Sequence, residues 1–476
     1  MNRRRDADTD RESTDRPRKG AARGGAGGRG GATFTEGPVL GHILRLAAFM
    51  ALGSVSMNVA RLAEAIYLGV IGTEALAALG FAFPITMTLF AFAGGIGTGA
   101  SSVIARTVGS GDRRAVARLV THCQLLVLLV GVAVGVVGTL FAEDVITALG
   151  ARDEVRAMAI EYMHVYLIGF PLFMLSMVGS TLLRATGSAA SPGIVMTAGS
   201  ILQIAFGPFL IYGWAGFPEL GIAGAAWAYV ASRVVSIFLY GALLVRAHMT
   251  FWSLDQLFAS WRAIFHVGLP ATASGLIQPV SMLIVTRLLA THGHEVVAGF
   301  NVASRVETLV HMIIMAVSSS VGPFVGQNWG ARQYERVNEA LSLCNRIALV
   351  WGVVTFLFLA VAGRYLVALI DDNPTVVEVA RMFFWIIPLS IGFMGMMMVA
   401  SSCFNALGKP MPPLVIATLR TFVVYIPLAI FGSWLWGYVG IFLATAFTNV
   451  LLGVTAWQWN RAVVKRERQL AVKYDV

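Results

Sequence analysis

The sequence predicts an all-α polytopic membrane protein, with about twelve transmembrane helices in two pseudo-symmetric six-helix bundles. Three observations carry that prediction. Of 476 residues, 57% are hydrophobic and only 13% are charged, against about 25% charged in soluble domains. Mean hydropathy is +0.74, an apolar excess that must face lipid because no single core can hide it. The third is that landmarks in the first half recur, in order, in the second.

Residues 1–36 read as a disordered Arg/Gly-rich tail with Arg3, Arg4, Arg5, Arg11, Arg16, Arg18, Lys19, Arg23 and Arg29 mixed with acids. The segment has no apolar run, so it is neither signal peptide nor span. It can touch anionic headgroups. Without a folded basic domain or aromatic platform, nucleic acid is not an expected partner.

A helix needs roughly 20 apolar residues to cross a bilayer. Apolar runs place spans near 40–69, 75–106, 119–141, 157–183, 193–213 and 221–245 in an N-terminal lobe, 37–247. A C-terminal lobe, 248–460, holds spans near 263–290, 296–326, 340–362, 379–404, 412–435 and 438–459. Residues 461–476 form a basic tail. Loop charges alternate: Arg106, Arg113, Arg114, Arg118, Arg184, Arg246, Arg262, Arg332, Arg336 and Lys409 fall on the side of the termini. Glu143, Asp144, Asp153, Glu154, Glu219, Asp371 and Asp372 fall opposite. Positive charge marks the cytoplasm, so both termini are expected inside a cell membrane.

Gly80-Phe81 precedes Gly299-Phe300 by 219 residues, an offset shared by Gly111 and Gly330, Pro208 and Pro427, and Gly221-Ile222 and Gly440-Ile441. An offset of 221 links Gly72 with Gly293, Glu74 with Glu295 and Gly187 with Gly408. Six spans per half make this a parallel duplication, whose halves pack around a path used for alternating access.

Several chemistries are excluded. No G-x-x-x-x-G-K-[ST] occurs, so ATP hydrolysis is not expected. Gly95, Gly97 and Ala100 fit a degenerate dinucleotide fingerprint, but inside span 2, where small residues serve close helix packing. Cys123, Cys344 and Cys403 lie in apolar stretches without C-x-x-C spacing. No catalytic constellation is present, so no enzyme activity is expected.

Ionisable groups within spans stand out, because each costs about 2.5–3.5 kcal/mol at a helix centre. Ser54, Asn58, Arg61 and Glu64 form one polar stripe on span 1. On span 8, Asn301, Arg305 and Thr308 share one stripe, and Ser304, Glu307 and His311 another. With Arg287 of span 7 these lie in the outer half of the membrane, where one cavity between the lobes would gather them. Plainer roles stay open: snorkelling for Arg287, an i, i+4 pair for Glu307 and His311, and neutralisation of Glu64 by Arg61. Gln203 and Gln278 are interhelical glue or ligand contacts. The methionines of span 10, Met394, Met396, Met397 and Met398, are packing or a soft binding surface.

Over about residues 38–460 the chain resembles the multidrug and toxic compound extrusion family. Ala63-Glu64-Ala65-Ile66-Tyr67-Leu68-Gly69 and Gly72-Thr73-Glu74-Ala75-Leu76 are similar to its first-span signature and following turn. Val108-Gly109-Ser110-Gly111-Asp112 and Val325-Gly326-Gln327-Asn328-Trp329-Gly330 resemble its paired loops, and Leu183-Arg184-Ala185-Thr186-Gly187 and Phe404-Asn405-Ala406-Leu407-Gly408 its span ends. The resemblance implies two six-helix lobes around a V-shaped cavity, exporting organic, often cationic or aromatic, compounds against entry of a proton or sodium ion. The family's span-1 acid falls on Glu64. Its usual span-5 Asn and Asp fall on Gln203 and Gly207, and its span-6 Thr on Tyr229, so the usual cation site is incomplete and Glu307 becomes a second coupling candidate.

The expected protein is therefore a cation-coupled antiporter, with Glu64, Arg61 and Glu307 as coupling candidates. Asn58, Gln203, Gln278, Arg287, Asn301, Arg305 and Tyr229 are substrate-cavity candidates. The expected partners are a small organic substrate and the lipid bilayer, with no cofactor beyond the coupling ion, and the chain is expected to be a monomer. A lipid-linked glycan flippase is the nearest competitor, because Arg61, Arg287 and Arg305 suit a pyrophosphate.

Overall fold

The apolar runs fold as helices, most of them longer than the stretch lipid requires. The computed structural model describes residues 34–368 and 373–474, and among them every regular element is helical. Residues 1–33 of the tail, and Asp371 and Asp372 of a far-side loop, lie outside these described residues.

The first half contains α1 (Val39–Ile71), α2 (Thr73–Gly109), α3 (Arg113–Ala148), α4 (Asp153–Ile168), α5 (Phe170–Ala185), α6 (Ala190–Tyr212) and α7 (Gly221–Arg246). The fourth span is broken: α4 and α5 meet at 52°, next to Pro171, which lacks the N–H needed to continue the helix. The second half contains α8 (Leu257–Ala290), α9 (His294–Gly330), α10 (Tyr334–Ala368), α11 (Pro374–Ile386) and α12 (Pro388–Ala406). Then α13 (Met411–Thr418) passes through a π-helical stretch, Leu419–Tyr425, into α14 (Ile426–Tyr474).

Ten of these helices are long and apolar enough to cross a membrane, and the α4–α5 pair makes an eleventh. The twelfth comes from a reversal inside α14. Gly437 has φ 60 and ψ −143, a conformation open to glycine. A Cβ on Gly440 would lie 1.9 Å from the Gly432 carbonyl oxygen, so the chain doubles back on itself there. Twelve crossings are what the hydropathy predicted.

The duplication is visible in register. Helices α2, α3, α4 and α6 begin 221 residues before α9, α10, α11 and α13. The 219-residue pairing of Gly80 with Gly299 and Gly111 with Gly330 therefore gives way in α2 and α9, where the partner of Gly330 is Gly109. The contacts agree: a Cβ on Gly109 would meet the Gln327 carbonyl oxygen at 2.0 Å, and one on Gly330 would meet the Arg106 carbonyl oxygen at 2.0 Å. These reciprocal contacts lock the halves together at the end nearest the termini. Small-residue crossings of this kind let helix backbones touch.

The first helices reach the other half to different extents: α8 lies mainly along α2, and α1 lies between α6 of its own half and α9 of the other, whereas α1–α2 and α8–α9 touch little. Further bonds tie the halves at the terminal side. Gln327 donates to the Ala185 carbonyl at 2.8 Å and Arg106 to that of Ala406 at 3.3 Å. The last residues of the predicted tail are docked there too. Phe34 is buried and stacked on Phe324. Its N–H donates to Gln327 Oε1 at 3.2 Å, and its carbonyl accepts from Arg336 at 2.9 Å. The basic C-terminal segment continues as helix to Tyr474, tied back by Lys409 to Glu467 at 2.5 Å.

Candidate functional site

Three helices converge on Glu64. The α1 stripe turns this carboxylate inward, where it is half-buried. The Tyr162 hydroxyl of α4 donates to its Oε1 at 2.8 Å, and the Gln203 amide of α6 donates to its Oε2 at 3.3 Å. Both donors are buried. A carboxylate held by fixed donors makes stronger bonds than neutral pairs do.

The break after α4 leaves Tyr162 and Tyr166 stacked one turn apart, ring centroids 6.2 Å apart. Tyr166 stacks on Tyr229 of α7 at 5.2 Å, and the Arg233 guanidinium lies 4.8 Å above that ring, a cation–π contact. Arg61 forms no ion pair with Glu64. Its guanidinium sits 5.7 Å from the centroid of Phe90. The neutralising role open to Arg61 is thus not realised as a direct contact. Together with Met57, Leu79, Phe83 and Met87, these groups enclose about 260 Å³.

A second pocket of about 230 Å³ lies in the other half, lined by Gln278, Ser304, Glu307, His311, Arg420, Tyr425, Thr448 and Asn449 among others. The two pockets are counterparts. Met57, Arg61, Leu79, Phe83, Met87, Tyr162 and Tyr166 lie 221 residues before Gln278, Met282, Phe300, Ser304, Thr308, Phe383 and Ile387, all of them lining residues. The acids do not correspond: Val285 stands opposite Glu64, and Thr86 opposite Glu307. Each half therefore brings its own carboxylate from a different helix.

The single cavity expected to gather the polar residues is thus two pockets. Glu64, Arg61, Gln203 and Tyr229 share the first, and Gln278 and Glu307 the second. Asn58 is on the seam, its amide 2.9 Å from the Ser54 carbonyl and 3.9 Å from Met312 Sδ on α9. Arg287, Asn301 and Arg305 are exposed and line neither pocket. Glu307 and His311 do not pair: His311 Nε2 has no hydrogen-bond partner. Among the described residues no group of three or more His, Cys, Asp or Glu could hold a metal ion. The cysteines are free and buried, as their apolar settings predicted.

Four residues were missed in the sequence. Arg233 and Arg420 lie inside spans 6 and 11, so the rule that singled out Arg61 would have found them. Tyr162 and Tyr166 carried no such signal, because tyrosine is ordinary in a membrane helix.

Two repeated six-helix halves, joined at one face and each holding a pocket with a half-buried carboxylate, define a polytopic membrane transporter. The MatE family model matches residues 50–209 and 270–431, and the chain belongs to that family, the multidrug and toxic compound extrusion transporters. It is 34% identical over 401 residues to a protein of Shewanella oneidensis named FAD transporter, covering 83% of this chain and 88% of that one. It is 24% identical over 433 residues to the probable multidrug resistance protein YoeA of Bacillus subtilis, covering 87% and 92%. Among solved structures, the Vibrio cholerae MATE transporter VcmN in its bent form superposes with a TM-score of 0.86 at 26% identity, covering 90% or more of both (91% and 98%).

Proposed function

We propose that this transporter is a proton-coupled exporter of aromatic, anionic organic compounds, with a flavin dinucleotide as the leading candidate substrate. The observation that carries the coupling assignment is the Glu64 carboxylate held by Tyr162 and Gln203. A hard cation such as sodium wants several oxygen ligands, whereas here two neighbours offer hydrogen-bond donors to one carboxylate, an arrangement a proton can neutralise in a single step. The excess of Lys and Arg at the side of the termini supports termini in the cytoplasm of a cell membrane, with export towards the opposite side.

In this reading Glu64 gains a proton from the outside. Its bonds to Tyr162 and Gln203 weaken once the charge is gone, α1 is freed to move against α6, and substrate leaves outward. Release of the proton inside restores the bonds and returns the carrier. Arg61, Arg287 and Arg305 disfavour a purely cationic cargo and suit phosphate, which moves the substrate from the cationic compounds first expected towards the class named for the Shewanella oneidensis relative. A lipid-linked pyrophosphate would use the same arginines, and its failure to compete with the dinucleotide separates the two readings.

The test is transport in reconstituted vesicles with membrane potential clamped. Export of FAD should follow an imposed pH gradient and ignore an imposed sodium gradient. Flux that follows sodium, or neither gradient, contradicts the proposal.

A further inference from the structure

The two counterpart pockets differ in how well their polar groups are satisfied. In the first, the carboxylate is bonded on both oxygens and the tyrosines are stacked, with only Arg233 Nε lacking a partner. In the second, four side-chain atoms lack one: His311 Nε2, Arg420 Nε, the Tyr425 hydroxyl and the Thr448 hydroxyl. Tyr425 is 5% exposed and Thr448 1%, so water does not satisfy them freely. Buried polar groups are nearly always bonded. A cluster of unpaired ones lining a single cavity marks a place built for a ligand.

The walls say what kind. Phe300 and Phe442 stack with centroids 6.4 Å apart, and Phe383 stands nearly perpendicular to Phe442 at 5.4 Å. Such faces take a planar ring. The polar rim mixes donors and acceptors: Arg420 gives N–H groups, Glu307 accepts, and the two hydroxyls do either. Asn449, which would compete, is occupied, accepting from Arg420 at 3.1 Å and donating to Ser390 at 3.0 Å. One arginine and one carboxylate leave the lining near neutral, unlike the arginine-rich cleft. At about 230 Å³ the pocket is below the range of roughly 300–1,000 Å³ that encloses a whole ligand, so it takes part of one.

We infer that the second pocket is a substrate subsite for an uncharged, planar heteroaromatic ring bearing both hydrogen-bond donors and acceptors on its edge. The flavin ring system has that chemistry. This inference rests on the proposed substrate class and divides the labour: Glu64 of the first pocket handles the proton, Arg61 beside it and Arg305 hold phosphate, and the second pocket grips the ring. Gln278 of α8 and Thr308 of α9 are lining residues that are exposed, and they mark the pocket's accessible side.

The experiment titrates purified full-length protein with FAD, with riboflavin (ring without phosphate) and with inorganic pyrophosphate (phosphate without a ring), following flavin fluorescence and competition. Thr448→Val and Tyr425→Phe are compared with wild type. Because both hydroxyls are unpartnered, these replacements should leave the thermal unfolding midpoint unchanged or slightly raised. Together they should weaken riboflavin and FAD by about tenfold, the scale of one or two neutral hydrogen bonds, and leave pyrophosphate unchanged. Equal flavin affinity in a folded double variant overturns the subsite alone. Wild-type protein that binds pyrophosphate but not riboflavin also overturns it, while sparing phosphate recognition by the arginines. Wild-type protein that binds none of the three overturns the substrate class and the subsite with it.

Discussion

Glu64→Gln is expected to abolish gradient-driven export while substrate still binds, the uphill accumulation lost being about tenfold for each pH unit imposed at one proton per substrate. The amide keeps the size of the carboxylate and can bond Tyr162 and Gln203, so the pocket should stay assembled. It cannot exchange a proton with the solution, so the cycle loses the step that couples the two flows. The energies make this loss complete rather than partial. One proton moving through 100 mV supplies about 2.3 kcal/mol, and a tenfold gradient of a neutral solute costs about 1.4 kcal/mol. An anionic substrate leaving a negative interior gains a similar amount for each of its charges. Uphill export must therefore be measured with potential clamped at zero, where only the pH gradient can drive it. Retained accumulation in the variant under that clamp would remove Glu64 from the coupling role and leave Glu307 as the candidate.

The second large effect concerns charge on the cleft. Asn58 lies beside Met312, and α1 and α9 run along one another. Arg61 is three residues beyond Asn58, and Arg305 is two helical turns from Met312, so each half carries an exposed arginine near this contact. Arg61→Gln with Arg305→Gln is expected to weaken FAD binding by roughly 100-fold. That corresponds to about 2.7 kcal/mol, two charge-assisted hydrogen bonds each reduced by solvent. Riboflavin, lacking the phosphates, should lose less than threefold. An equal loss for both ligands in an equilibrium titration would mean that the arginines shape the cleft and do not contact phosphate.

Much of the fold was legible because the bilayer imposes a length on every crossing. The hydropathy therefore found all twelve, including the hairpin at Gly437 that continuous helical hydrogen bonding obscures. The repeat was legible too, but its register in α2 and α9 was not. Gly80 and Gly299 match by chance at 219 residues, and the helix starts together with the reciprocal backbone contacts of Gly109 and Gly330 decide for the 221 already seen in Glu74 and Glu295. The acid on span 1 stood out for its cost in lipid. What encloses it did not: Tyr162 reaches Glu64 because α4 stops at a bend, a long-range consequence that no periodicity in span 4 announces. The division into two pockets was hidden for a related reason. Glu64 and Glu307 sit at similar depth, and depth alone suggested one cavity. Their lateral separation follows from what encloses each: α4 and α6 of the first half hold Glu64, whereas Glu307 shares its pocket with Arg420 and Tyr425 of the second.

Substrate-driven proton movement is the most direct test of Glu64 as the coupling group. Proteoliposomes carrying a lumenal pH dye, with potential clamped and no initial pH difference, would receive a steep FAD gradient. Wild type should build a pH difference as FAD moves, and Glu64→Gln should build none while still binding FAD. Movement of FAD through the wild type without a pH change, or an equal pH change in the variant, would contradict the account.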